Sequence, residues 1–219
     1  MTRPLRPAGD FTRPVSTVNI ANALTLLRLG LVPVFWVVLM HDGGEDAAWR
    51  VAAWAIFAVA SVTDRIDGEL ARRRGIVTDF GKIADPIADK ALTGAALVGL
   101  SVLHELPWWV TVLVLVREVG VTALRFVVIR HGVLPASRGG KVKTLLLGVA
   151  IGLFVLPLSG ALHTLAGVVM ALAVVVALAT GADYVHRALR LRRTSERAAR
   201  QRADRAGRTV PDGGSPRQG

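Results

Sequence analysis

Apolar runs separated by short charged connections set the pattern of this chain. A helix needs about 20 apolar residues to cross a hydrocarbon core, and six stretches approach that length: Ile20–Met40, Ala47–Ile66, Ile83–Leu103, Pro107–Ile129, Thr144–Leu158 and Leu162–Val185. The fifth is short, and only a Ser159-Gly160 turn parts it from the sixth. The pattern predicts an all-α polytopic membrane protein, a six-transmembrane-helix bundle over residues 19–186. An N-terminal arm, 1–18, and a basic tail, 187–219, flank it.

Charge placement tests that layout independently, because cytoplasmic connections carry an excess of Lys and Arg. Arg3, Arg6 and Arg13 lie in the arm, Arg72, Arg73, Arg74 and Lys82 between the second and third stretches, and Arg130, Arg138, Lys141 and Lys143 between the fourth and fifth. The alternate connections hold Asp42, Glu45, Asp46 and Arg50, then Glu105, then no charge between Ser159 and Thr164. Six crossings of the plasma membrane with both termini cytoplasmic satisfy every loop. The tail begins as a basic helix and gives way to Gly, Pro and Ser, a composition expected to be partly disordered.

Composition agrees. The chain has 219 residues, 52% of them hydrophobic, with a net charge of +11 and a mean hydropathy of +0.47. A nucleic-acid binder can be this basic, but its charge would not separate long apolar runs; a bilayer with anionic headgroups explains both properties, so membrane lipid is an expected partner and nucleic acid is not. Cysteine is absent, which removes disulfides and thiolate chemistry and leaves oxygen or imidazole ligands for any cation. The polar, proline-rich first residues lack the short apolar core of a removable signal. The five histidines fall in loops or at helix ends without ligand spacing, and the tryptophans read as interfacial anchors or packing residues.

Charged groups inside membrane helices are expensive and need partners or a polar cavity, and here they crowd together. At about 100° per residue, Asp64, Asp67, Gly68 and Ala71 share one helical face, with Arg72 at its edge. Gly81, Asp85 and Asp89 recur every four residues and share another. Antiparallel packing of the two helices would bring four carboxylates to one point. Their repulsion can be relieved by protonation, by pairing with Arg65, Arg72 or Lys90, or by bound cations. Oxygen-only ligands favour Mg²⁺, with Mn²⁺ or Ca²⁺ as alternatives, and two ions about 4 Å apart suit a diphosphate. Gly68, Ala71 and Gly81 have no bulky side chain to keep a nucleotide from the backbone. The competing readings are a packing cluster and the cation path of a transporter; a third, a polybasic membrane adaptor, would place the activity in the tail.

The series Asp64-x2-Asp67-Gly68-x2-Ala71-Arg72-x8-Gly81-x3-Asp85-x3-Asp89 resembles, position for position, the signature of the CDP-alcohol phosphotransferase family. The resemblance implies that Asp64, Asp67 and Asp85 bind two divalent ions and the CDP diphosphate. It implies that Asp89 is the catalytic base and a further metal ligand, and that Gly68, Ala71, Arg72 and Gly81 line the nucleotide site. It extends from Asn19 to about Leu191 on NIANALTLLRLGLVPVF, TDFGKIADPIADKAL and VREVGVTALR followed by GGKVKT. Within the family these stretches are most similar to bacterial members that transfer a phosphatidyl group from CDP-diacylglycerol to sn-glycerol 3-phosphate and release CMP. Members using inositol phosphate or phosphatidylglycerol share the aspartates and remain alternatives. A homodimer is also implied by the resemblance. Arg65 stands where many relatives have an apolar or aromatic residue.

An anionic acceptor fits the remaining polar positions. Arg117, Glu118, Thr122 and Arg125 form one polar sector of the fourth helix, and Lys141, Lys143 and Thr144 are expected at the start of the fifth, where backbone N–H groups favour phosphate. Arg125, Lys141 and Lys143, with Arg117 deeper, are the candidates for the acceptor phosphate; for the lysines, ordinary flanking charge competes. Asn22, Thr25 and Arg28 form a polar series in the first helix, whose arginine needs a lipid-linked phosphate, an aspartate or a packing role.

Overall fold

The structure, a computed structural model, describes the backbone of residues 20–74, 79–129 and 138–208, and side chains at 23–64, 84, 87–124, 142–188 and 190. The described residues form α1 (Ile20–Met40), a 3-10 helix (His41–Gly44), α2 (Ala47–Arg74), α3 (Asp79–Val102), α4 (Trp108–Ile129), α5 (Arg138–Val155) and α6 (Gly160–Arg208), with no strand among them. The all-helical expectation holds. Ala23–Gly44 and Gly160–Ala188 are long and apolar enough to cross a membrane by length and composition, and Val142–Val155 is a shorter apolar helix.

Helix ends depart from the apolar runs where polar residues continue a helix that hydropathy cannot see. α2 runs eight residues past Ile66, through Gly68, Ala71 and Arg72, and α3 starts at Asp79 rather than Ile83. α5 starts six residues before Thr144 and stops at Val155, short of Pro157. α6 continues through the basic segment to Arg208 without a break at residue 187, so His186 lies within a helix rather than at its end. The arm 1–18 and residues 209–219 lie outside the described residues.

The chain divides into two compact units. The first comprises residues 1–108 and 148–166. In it α1 packs along both α2 and α3, burying Phe35 and Leu39 from α1, Phe57 from α2 and Leu97 and Leu100 from α3. Phe35 and Phe57 meet with ring centroids 6.0 Å apart. Asp46 caps α2, its Oδ1 accepting the backbone N–H of Ala48 at 2.8 Å and satisfying one of the donors that a helix start leaves unpaired. Before it, the chain reverses through left-handed Gly43 and Gly44, a conformation that favours glycine; at Gly44 a Cβ would stand 2.7 Å from Leu103 Cδ1 and push that side chain aside.

α3 ends in a Schellman turn. His104 N–H donates to Ser101 O and Glu105 N–H to Leu100 O, with His104 at φ 60° where a glycine usually stands. That turn delivers Glu105 to Arg50. The Arg50 guanidinium pairs with Glu105 and donates from Nη2 to Phe154 O at 2.6 Å and from Nε to Val155 O at 3.0 Å. These carbonyls end α5 and have no helical partner of their own.

The second unit comprises residues 109–147 and 167–219. Its buried apolar residues include Val114 of α4, Leu147 of α5, and Met170, Ala173 and Ala177 of α6.

Both units combine buried charges with exposed apolar side chains. Arg28 is 2% exposed and Lys143 6%, while Val37 is 68% exposed and Val116 65%. A water-soluble domain keeps its charges outside and does not leave rows of valine and leucine uncovered. Hydrocarbon surroundings make the arrangement favourable. Trp49, Trp54, Trp108 and Trp109 are also exposed, as anchors are.

Candidate active site

The backbone is helical through every position of the aspartate motif: Asp64 to Arg72 fall within α2, and Gly81 to Asp89 within α3. Helical register therefore sets Asp64, Asp67, Gly68 and Ala71 on one face of α2 and Gly81, Asp85 and Asp89 on one face of α3. Only residues 75–78 join the two helices, so the end carrying Asp67 and the end carrying Gly81 are held near each other by covalent connection. The side chains of Arg65, Asp67, Gly68, Ala71, Arg72, Gly81 and Asp85 lie outside the described residues.

Asp64 and Asp89 are described. Asp89 is half-buried. Asp64 forms an ion pair with Arg28, Nη1 to Oδ1 at 2.6 Å. Of the partners expected for Arg28, it is thus an aspartate of the motif that answers in this structure. Helix α1, rather than α2 and α3 alone, supplies a wall of the acidic face. Thr25, one turn before Arg28, is buried as well; the Asn22 side chain lies outside the described residues.

The donor set fits a hard cation. The motif offers carboxylate oxygens alone, and the Asp64 side chain keeps 31% of its surface exposed beside Arg28, so a ligand can reach it. Among the described residues no three metal-binding side chains gather; Asp67 and Asp85, which the expected set includes, have side chains outside them.

The candidates for the acceptor phosphate lie in the second unit. Lys143 does not sit at the start of α5: the helix begins at Arg138, which puts Lys143 in the second turn, beyond the free N–H groups. Its ammonium pairs with Glu118 of α4. Arg117 donates from Nη1 to the same Glu118 oxygen at 2.8 Å, from Nε to Ala177 O at 2.9 Å and from Nη2 to Thr180 Oγ1 at 3.0 Å. Gly181 lets the guanidinium lie against α6, since a Cβ there would be 3.3 Å from Arg117 Nε. Thr122 turns its hydroxyl back to Glu118 O at 2.8 Å and so stays with its own helix. Arg125 lies in α4 and Lys141 in α5 by backbone, with side chains outside the described residues.

Sequence reasoning placed Glu118 in the polar sector without giving it a role, and passed over Thr180. The available signal was adjacency: an Arg-Glu pair in an apolar helix must find a further partner, and Thr180-Gly181 is a small polar break in the Ala- and Val-rich run of α6.

Comparison with known proteins bears on this geometry. The model of the CDP-alcohol phosphatidyltransferase family matches residues 18–179. A Mycobacterium tuberculosis protein named probable phosphatidylglycerophosphate synthase is 64% identical over 182 residues, covering 83% of this chain and 87% of the relative. A Bacillus subtilis CDP-diacylglycerol–glycerol-3-phosphate 3-phosphatidyltransferase is 40% identical over 58% of this chain and 70% of its own. A CMP-forming cardiolipin synthase of Streptomyces coelicolor is 35% identical over 54% of this chain and 55% of its own.

Proposed function

Since the chain belongs to the CDP-alcohol phosphatidyltransferase family, we propose that it transfers the phosphatidyl group of CDP-diacylglycerol to sn-glycerol 3-phosphate, yielding phosphatidylglycerophosphate and CMP. The observation that carries this choice of acceptor is the 64% identity, across 83% of the chain, to a relative named for that product. Similarity to the cardiolipin synthase is lower and covers less of the chain.

The chemistry follows from the acidic face. Asp64, Asp67 and Asp85, with Asp89, would hold divalent metal, Mg²⁺ first and Mn²⁺ as the alternative, two ions in all. Such metal would supply positive charge to neutralise the diphosphate and the departing CMP. The acceptor hydroxyl attacks the phosphatidyl phosphorus, the bond from that phosphorus to CMP breaks, and Asp89 takes the hydroxyl proton. Gly68, Ala71, Arg72 and Gly81 receive the cytidine nucleotide, and Lys143, Lys141 and Arg125 the acceptor phosphate. Arg28 holds the Asp64 carboxylate in place, as outer partners of metal ligands do.

The chain is a membrane protein, and its loop charges support six crossings of the plasma membrane with both termini cytoplasmic. Two copies form a homodimer. The deciding experiment supplies purified protein with CDP-diacylglycerol, Mg²⁺ and, in turn, glycerol 3-phosphate, inositol phosphate or phosphatidylglycerol, and identifies the lipid product. Product from glycerol 3-phosphate, with CMP release abolished by chelation, is expected. Product from another acceptor alone would replace the assignment, and metal flux in proteoliposomes without CMP release would replace it with transport.

A further inference from the structure

We propose that Glu118 is a positioning residue for the acceptor: it holds the Lys143 ammonium at the place where the acceptor phosphate arrives. The inference rests on the assignment of Lys143 to that phosphate.

Lysine alone is a poor fixed site, because its charge rides on a flexible four-carbon stem and its three donors rotate. Here the stem is buried in α5 and the charge is tied to one carboxylate oxygen of α4. That oxygen is itself fixed. Arg117 donates to it at 2.8 Å while the other two guanidinium nitrogens donate to Ala177 O at 2.9 Å and Thr180 Oγ1 at 3.0 Å. A chain of bonds therefore runs from α6 through Arg117 and Glu118 to Lys143. Each nitrogen of Arg117 donates within this frame, which makes Arg117 its support.

Two cations meet at one oxygen, Glu118 Oε1. Without the carboxylate charge they would repel at close range in surroundings of low dielectric, and the mobile one, Lys143, would move away. With the charge in place, the ammonium can keep Glu118 on one N–H and offer another to an oxygen of the incoming phosphate, since it has three donors. Glu118 thus acts through Lys143 without touching the acceptor.

Glu118→Gln removes the charge and keeps the size. Steady-state kinetics on the purified protein is expected to show an acceptor KM raised about tenfold, the scale of one lost charged hydrogen bond, with the KM for CDP-diacylglycerol unchanged. Lys143→Met raises the same KM, and the double variant falls short of the product of the two single effects because both act on one contact. If Lys143→Met leaves the acceptor KM unaltered, the assignment of Lys143 fails and the inference falls with it. If Lys143→Met raises it but Glu118→Gln does not, or lowers it, Lys143 stands and the positioning role of Glu118 is overturned. Equal loss toward both substrates would make Glu118 a packing residue and also overturn the role. Should Glu118→Gln fail to fold, Thr180→Val loosens Arg117 without removing a charge and is expected to raise the acceptor KM by a smaller factor; an unchanged KM there overturns the frame.

Discussion

Two arginines of the first unit, Arg28 and Arg50, are both buried in apolar helices and both paired with a carboxylate, yet their settings differ. Arg50 joins Glu105 and the terminal carbonyls of α5, which have no partner within their own helix. Its partners are the end of a helix and a loop, and they call for nothing more. Arg28 instead holds Asp64, a side chain that stays partly exposed and shares its face of α2 by register with Asp67, while α3 carries Asp85 and Asp89 on a face of its own. One arginine satisfies backbone groups; the other steadies an acid of the proposed metal-binding set. A buried ion pair by itself is therefore weak evidence for function, and what distinguishes the two is the company the carboxylate keeps.

The contrast breaks most sharply at Asp89. If its face were a packing face of the Arg50 kind, Asp89→Asn would leave turnover intact. The expected result is a fall of about 10³-fold, the scale of a lost general base, with CDP-lipid binding retained in a direct binding assay. Next in size is Arg50→Met, which strips Glu105 and two carbonyls of their partner and should lower stability by about 3 kcal/mol in detergent unfolding measurements. Substrate KM values in the folded protein should stay where they were.

Arg28→Met separates the two arginines directly. Its expected mark is a roughly tenfold weaker binding of Mn²⁺, read by electron paramagnetic resonance, the usual scale for losing an outer partner of a metal ligand, and Arg28→Lys should recover part of it. Unchanged metal binding with lowered stability would put Arg28 in the class of Arg50. The smallest effect belongs to His104→Gly, which relieves a left-handed residue at the turn delivering Glu105 and should raise stability by about 1 kcal/mol or less. Thermal unfolding would register it, and metal binding should not change.

The sequence made the acidic face legible because its information is periodic: aspartates and glycines at helical spacing identify a face without knowledge of what the helix packs against. It also exposed the apolar runs, since hydropathy adds up over many residues. Helix ends were harder. The polar starts of α3 and α5 and the basic extension of α6 carry no hydropathy signal, and the end of α3 is capped by His104, where the expected mark would be glycine. Pairings across the sequence were hidden for a different reason. Arg50 and Glu105 read as sparse charges of two outer loops, and Glu118 as one polar residue among four, because a lone charge does not announce a partner 55 or 25 residues away.

The Arg50 cluster also bears on the order in which the chain is made. Synthesis runs from the N-terminus, so α2 emerges with its arginine well before Glu105, 55 residues later, and the carbonyls of Phe154 and Val155, 104 and 105 residues later. Until then the guanidinium must be satisfied by water or headgroups at the membrane surface. A nascent chain stopped before Phe154 consequently leaves Arg50 with an incomplete set of partners.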